Sequence, residues 1–351
     1  MPDNSPSARL NALTLRENIP VSATIELTRR CSLSCAHCYL PETRGRARPG
    51  RELTAAQWKK ILSQLAAAGG LYLVFTGGEP LLRPDLEELC TFAKKLNFDV
   101  RIFSTGFGLD RRRALGLKKA GVSAFEISFY GRPGIHDGVT GLSGSHSLSL
   151  AAARLLKKNG IKVRLKVPLM RGNLAEAGFL KSLARREGFG IAFDPVITAA
   201  NDGDRGALPL RLGPAGLKRV VKLLGKPPEP CEPSPTEASP PIEAKPRYDF
   251  LCGAGRNVCA VGPDGVLYPC LQLPVKLGNL SGGSFARIWK SSPWLRKWRR
   301  AGEKDLKVCA ACPDAAWCSR CPGVSLVEEG DVFAPNAPAC ALAAAYRKSQ
   351  K

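Results

Sequence analysis

The 351-residue chain has no apolar run of about 18 residues and so no stretch that reads as a membrane-spanning helix. Its first twenty residues, MPDNSPSARLNALTLRENIP, also lack the hydrophobic centre of a secretory signal. Both absences place it in the cytoplasm. Acidic residues are scarce: 30 stand against 52 lysines and arginines, for a formal charge of +22. The basic residues are scattered, with short runs at Arg111–Arg113 and Arg296–Arg300, and no aromatic ladder interleaves them as an extended nucleic-acid surface would require. Nucleic acid is therefore an unfavoured partner. An acidic peptide, a carboxylate-rich small molecule or an acidic electron donor suits the charge better.

Cysteine is the residue in excess. Thirteen of them in a reducing compartment are not a disulfide framework, and clustered ones point to metal ligation. The stretch Cys31-Ser32-Leu33-Ser34-Cys35-Ala36-His37-Cys38-Tyr39 brings three thiols in a CxxxCxxC spacing. A cubane iron–sulfur cluster normally takes four, so such a loop leaves one iron open for another ligand. Three cysteines are also half of a zinc site, but zinc usually draws on a further CxxC pair or on histidines, and the next histidine is His136.

From residue 21 the chain alternates strand-like and helix-like runs. Strands are expected at 22–27, 71–76, 100–104, 124–129, 162–167 and 191–197. Helices are expected at 54–67, 85–96, 110–119, 146–158 and 174–187, with a sixth at 214–224. Such alternation means parallel pairing with right-handed crossovers, and six units make an α/β fold of an open, partial (β/α)6 TIM-like barrel. Chemistry on such folds sits at the C-terminal ends of the strands, where the cysteine loop falls. The second strand also ends in Thr76-Gly77-Gly78-Glu79-Pro80, in which paired glycines allow close backbone approach and Glu79 offers an acceptor to an ammonium group. His136 and His146 flank a glycine-rich stretch, 138–144, that reads as a flexible surface loop and carries no role.

Residues 225–247 hold eight prolines, which exclude a helix or an inner strand and read as an extended linker. The last hundred residues carry Cys252, Cys259, Cys270, Cys309, Cys312, Cys318, Cys321 and Cys340, enough for two four-cysteine sites. On spacing alone, zinc ribbons and iron–sulfur clusters both fit. Between Cys259 and Cys270, Pro263-Asp264-Gly265 marks the turn of a hairpin. Cys90 and Cys231 have no cysteine neighbour at ligand spacing and are expected to be non-ligands.

With CxxxCxxC followed on the next strand by Gly-Gly-Glu-Pro, the sequence resembles the radical S-adenosylmethionine (SAM) superfamily. Its C-terminal cysteines resemble the SPASM extension of peptide-modifying members. The resemblance covers residues 21–345 and implies a lead-in at 1–20, a radical SAM barrel at 21–224, the linker at 225–247, and a SPASM domain at 248–345 with little core of its own. It implies a [4Fe–4S] cluster on Cys31, Cys35 and Cys38, whose open iron binds SAM. Gly77, Gly78 and Glu79 would receive the SAM amino group, Ser104 and Ser128 would meet its ribose or methionine, and His37 would pack on adenine. Cys252, Cys259, Cys270 and Cys321 would hold a first auxiliary [4Fe–4S] cluster, and Cys309, Cys312, Cys318 and Cys340 a second. The Cys318–Cys321 spacing is one residue shorter than the family often has, which bears on Cys321.

The implied activity is reductive SAM cleavage, followed by hydrogen-atom abstraction from a ribosomally made peptide. The auxiliary clusters would transfer electrons, since four thiolates leave no open iron. Tetrapyrrole side-chain chemistry is the alternative substrate class, and a non-catalytic zinc protein that binds nucleic acid is a third reading. Sulfatase maturation fits less well, because that subgroup has an aspartate where Leu271 follows Cys270. Implied partners are the peptide, an acidic donor such as a flavodoxin or ferredoxin, and a separate carrier protein for the peptide leader, because twenty residues before the first strand are too few for a folded leader-binding module.

Overall fold

The structure, a computed structural model, describes residues 5–42, 50–225 and 251–350. The proline-rich stretch and Cys231 lie outside them. A helix missed at the sequence level comes first, α1 (Pro6–Glu17), with Ser5 capping its N-terminus through the Ala8 N–H. The barrel follows as β1 (Ser22–Glu26), α2 (Ala55–Ala67), β2 (Tyr72–Thr76), α3 (Leu86–Lys95), β3 (Asp99–Ser104), α4 (Arg111–Lys119), β4 (Val122–Ser128), α5 (Pro133–Thr140), α6 (Ser145–Lys158), β5 (Lys162–Pro168), α7 (Ala177–Glu187), β6 (Gly190–Asp194) and α8 (Pro214–Leu224). The six strands pair in parallel in chain order. That is the expected partial barrel.

Period-two alternation decides what each strand residue faces. Ile25, Phe75, Ile102, Phe125 and Leu165 are fully buried against the helical layer, where Trp58, Ile61, Leu62 and Leu65 of α2 pack; burial of each large apolar side chain is worth about 1.5–3 kcal/mol. The other set lines the lumen. There β5 presents Lys162, Arg164 and Lys166, and β4 presents Glu126 and Ser128.

The stretch around 138–144 differs from expectation. It is the end of α5 and a tight turn into α6, and His136 and His146 are buried at 1% and 8% exposure, both packed on Phe129. Asp137 is the physical reason, since its carboxylate accepts from the N–H groups of Gly144 and His146 and from the Ser145 hydroxyl, tying the turn to the start of α6.

C-terminal to the undescribed stretch, the hairpin forms as β7 (Val258–Val261) and β8 (Val266–Tyr268), with β9 (Gly278–Asn279) beside it. Gly265 takes φ +83° at the turn, a value that suits glycine. β7 pairs in parallel with β1, so one nine-stranded sheet runs β6-β5-β4-β3-β2-β1-β7-β8-β9. The cysteine-rich region, expected to have little apolar core, instead shares the barrel's. Phe285 and Trp289 of α9 (Phe285–Ser291), Leu295 of α10 (Pro293–Arg300) and Leu342 and Tyr346 of α12 (Ala337–Ser349) belong to the same buried cluster as the barrel. The short α11 (Pro322–Glu329) follows Cys321. Among the described residues, no helix is long and apolar enough to cross a membrane.

Candidate active site

The loop after β1 and the loop after β2 are laid on each other by backbone hydrogen bonds. Gly78 N–H donates to Thr28 O at 2.7 Å and Glu79 N–H to Arg30 O at 2.8 Å. Both glycines are required by this contact: a Cβ at Gly77, where φ is +139°, would strike Thr28 O, and one at Gly78 would strike Arg30 O. The root of the cysteine loop is thereby fixed on the Gly-Gly turn. Its outer side is pinned by α5, through Ser34 N–H to Thr140 O and Ala36 N–H to Val139 O, both at 3.0 Å.

Cys31, Cys35 and Cys38 line one cavity of about 360 Å3 together with Thr76, Gly77, Gly78, Ser104, Thr105, Ser128 and His37. Burial raises the thiol of Cys31 to about 11 and that of Cys35 to about 12, with the neighbouring cysteines adding to the shift. Three soft donors on one wall, beside the backbone of Gly77 and Gly78 that lines the same cavity, fit an iron–sulfur cluster with a small polar ligand next to it. His37 sits in the wall with its ring edge on Tyr130, 5.2 Å between centroids, and its Nε2 lies 3.5 Å from the Tyr130 hydroxyl.

Glu79, expected with Gly77 and Gly78 to receive the SAM amino group, stands behind the cavity wall that the two glycines form. Its carboxylate is fully buried behind the cavity and is taken up by the protein's own donors. Oε1 accepts from Leu81 N–H at 3.0 Å and the Ser104 hydroxyl at 2.7 Å; Oε2 accepts from Thr105 N–H at 2.8 Å and the Thr105 hydroxyl at 2.5 Å. Burial still pushes its pKa upward against those donors. With its lone pairs so occupied, Glu79 braces the turn, and the cavity is faced by the backbone of Gly77 and Gly78 instead. Ser104 does double service as brace and wall.

Several wall residues carried no sequence motif: Phe103, Tyr130, Lys166, Asp194, Leu271 and Gln272. Lys166 was traceable from the Lys-Val-Arg-Leu-Lys-Val alternation of β5, which places every second cation in the lumen, and it pairs in register with Ser128. Its ammonium lies 5.2 Å from the Phe103 ring centroid. Leu271 and Gln272 could not be read this way, because they reach the cavity only through the pairing of β7 with β1.

Cys309, Cys312, Cys318 and Cys340 line a second, smaller cavity of about 110 Å3, with Arg320 beside them. Burial raises Cys318 to about 11, reinforced by the three other thiols. Cys259 and Cys270 stand close enough for the charge of one to raise the other. Cys252 precedes a turn held to Pro269 by Gly255 N–H at 2.9 Å, and Cys321 opens α11, whose Gly323 lies against the Gln272 backbone. Cys90 is fully buried on α3, away from these groups.

Residues 25–177 match the family model of the radical SAM superfamily, and residues 252–313 match that of an iron–sulfur cluster-binding domain, SPASM. A "PqqA peptide cyclase" of Gluconobacter oxydans is 30% identical over 288 residues, 80% of this chain and 79% of that protein. The chain belongs to the radical SAM superfamily. It is a radical SAM enzyme with a SPASM domain, and the family's cofactors are [4Fe–4S] clusters, one binding SAM and the others auxiliary. An "AdoMet-dependent heme synthase" of Methanosarcina barkeri is 26% identical over 95% of this chain and 99% of its own length. Among solved structures, Streptococcus suis SuiB bound to its precursor peptide SuiA aligns with TM-score 0.70 at 15% identity, over 95% of this chain and 80% of that one. Native anSMEcpe with bound AdoMet aligns with TM-score 0.68 at 16% identity, over 94% and 96%. These two share the fold.

Proposed function

We propose that this radical SAM enzyme modifies a peptide, with Cys31, Cys35 and Cys38 holding the working cluster and the backbone of Gly77 and Gly78 receiving the SAM amino group. The cluster those cysteines would hold would, when bound, supply the electron for reductive SAM cleavage and hydrogen-atom abstraction from the substrate. This chain's own residues position and shield that event. Ser104, Thr105 and Ser128 line the cofactor's wall, the first two with their hydroxyls held by Glu79, and His37 offers a ring to adenine. Leu33, Leu40, Ile197 and Leu271 form apolar walls that keep water and stray hydrogen donors out. Lys166 and Asp194 face the same space from β5 and β6 and are suited to holding a polar substrate.

Cys252, Cys259, Cys270 and Cys321, and separately Cys309, Cys312, Cys318 and Cys340, are read as auxiliary-cluster ligands. Four-thiolate sites have no open iron and so serve electron transfer. An acidic electron donor and a separate leader-binding carrier are the partners that the basic charge favours. The observation that carries the peptide reading is the 30% identity to a peptide cyclase. The haem-synthase relative, matched along its whole length, supports tetrapyrrole chemistry as the second reading.

The test is anaerobic turnover of reconstituted enzyme with SAM, dithionite and either a peptide encoded beside its gene or a porphyrin. A mass change on the peptide supports the proposal, and turnover of the porphyrin alone rejects it. Replacing Cys31, Cys35 and Cys38 together by Ala is expected to lower iron from about twelve to about eight per chain and to abolish 5′-deoxyadenosine formation. Product from that triple variant would remove the loop from its role.

A further inference from the structure

A cluster of positive charge that the site does not use lies on α10. Its sequence Pro-Trp-Leu-Arg-Lys-Trp-Arg-Arg splits by helical spacing into two faces. Leu295 and Trp298 are buried. Arg299 turns inward, with Nε donating to Gly255 O and Nη1 to Trp289 O, both at 2.8 Å. Arg296, Lys297 and Arg300 are exposed, and with Lys304 they rim an open groove of about 570 Å3 that holds one acidic group, Asp305, and one aromatic, Phe333. The platform is stiff, since Trp294 stacks on Trp298 at 5.5 Å and Trp298 lies 6.3 Å from Phe333.

This groove shares its wall with the second cysteine cavity. Glu303 and Leu306 line the cavity while Lys304 and Asp305, between them in sequence, line the groove. Phe333 lines the groove while the carbonyls on either side of it, Val332 O and Ala334 O, accept from Arg320, which lines the cavity. Cys340 is the exposed thiol among the free cysteines of the described residues, and Val308, next to Cys309, is 67% exposed.

We propose that this basic face is where an acidic one-electron carrier protein, of the flavodoxin or small ferredoxin type, docks to deliver electrons at the Cys309, Cys312, Cys318 and Cys340 site. The proposal rests on the reading of those cysteines as auxiliary-cluster ligands. A rim of cations around a single aromatic matches the small, electrostatically steered contacts of redox partners, which need speed more than affinity. In the transfer the carrier is oxidised by one electron and the four-cysteine site is reduced by one, with no bond made or broken. A nucleic acid would also be drawn to the charge, but a position against a thiol-lined cavity favours a redox partner, and Phe333 alone is no stacking ladder.

The experiment compares the reconstituted enzyme with its Arg296→Glu/Lys297→Glu/Arg300→Glu variant, following the absorbance loss near 400 nm in stopped flow. A bacterial flavodoxin hydroquinone is the reductant, and dithionite is the control. Wild-type reduction by flavodoxin should slow with added salt. In the variant it should fall at least about tenfold at low salt and lose its salt dependence, with dithionite reduction and iron content unchanged. Equal flavodoxin rates in the two proteins would overturn the docking site, as would a variant that loses binding to a short RNA while keeping its flavodoxin rate. A wild type that dithionite reduces and flavodoxin does not would overturn the docking site too, and with it the reading of an acidic protein as the electron donor. Loss of the second cluster's signal from wild type would instead locate the fault in the ligand reading. If the variant fails to fold, carbodiimide cross-linking of wild type to flavodoxin decides, with adducts expected at Lys297 or Lys304; adducts confined to other lysines reject the site.

Discussion

Gly78 shows at the scale of one residue how the site is held. Its missing side chain is what lets the Thr28–Arg30 backbone rest on the turn after β2, and a methyl group there must push the cysteine loop outward. Gly78→Ala is therefore expected to lose most SAM cleavage while retaining the C-terminal iron, as read by iron content and 5′-deoxyadenosine assays. His136 acts on stability. It is buried, accepts the Tyr130 N–H on Nδ1, and is depressed from 6.5 to about 4, by burial first and by His146 second. Between those values the unfolded chain takes a proton that the folded chain refuses, so stability falls as pH drops through the window and the loss is complete below about 4. The full effect is of order 3 kcal/mol. A His136→Phe variant should show a smaller difference in Tm between pH 7.5 and pH 5 than the parent does.

At the scale of elements, α1 is tied to the turn that leads into β7. Asn257 Nδ2 donates to Asn11 Oδ1 at 2.8 Å and to Thr14 Oγ1 at 3.3 Å, and Trp289 Nε1 donates to Asn18 O at 2.7 Å. Asn257 is 5% exposed, so its removal strands buried partners. Asn257→Ala should cost about 1–3 kcal/mol in a urea unfolding curve, with the barrel's iron retained. An unchanged midpoint would mean that α1 contributes nothing to the junction. The six barrel strands and six of the twelve described helices were legible, because alternation and 3.6-residue spacing are local properties. α1, α5 and α9–α12 were not: α1 depends on its Ser5 cap, α5 starts at Pro133 with no side-chain cap and is tied to α6 by Asp137, and α9, α10 and α12 form against barrel residues far along the chain.

At the scale of the whole molecule, one core serves both halves. The hairpin extends the barrel sheet through β1, and α12 packs on α8. Loss of a ligand to the second cysteine cavity should therefore loosen its loops without releasing the hairpin. In Cys312→Ala and Cys340→Ala proteins, hydrogen exchange is expected to rise across residues 303–340 while β7 and β8 stay protected. Collapse of protection across β7 and β8 would show that cluster binding, and not shared apolar burial, holds this region on.

The sequence by itself determined that eleven of thirteen cysteines stand at ligand spacing and that a Gly-Gly turn follows β2, because residue identity and spacing are covalent facts. It determined the strand order too, since short parallel crossovers leave few choices. Only the tertiary structure decided which groups face the cavity. Glu79 withdraws into a brace because four donors from its own turn and from the end of β3 reach it first. Leu271 and Gln272 arrive from some two hundred residues away through strand pairing. His136 and His146 are buried by a capped turn that composition alone reads as a loop. The first two depend on contacts between segments distant in sequence, which no local pattern encodes; the third depends on a turn closed within ten residues by the hydrogen bonds of one side chain, Asp137, which composition does not reveal.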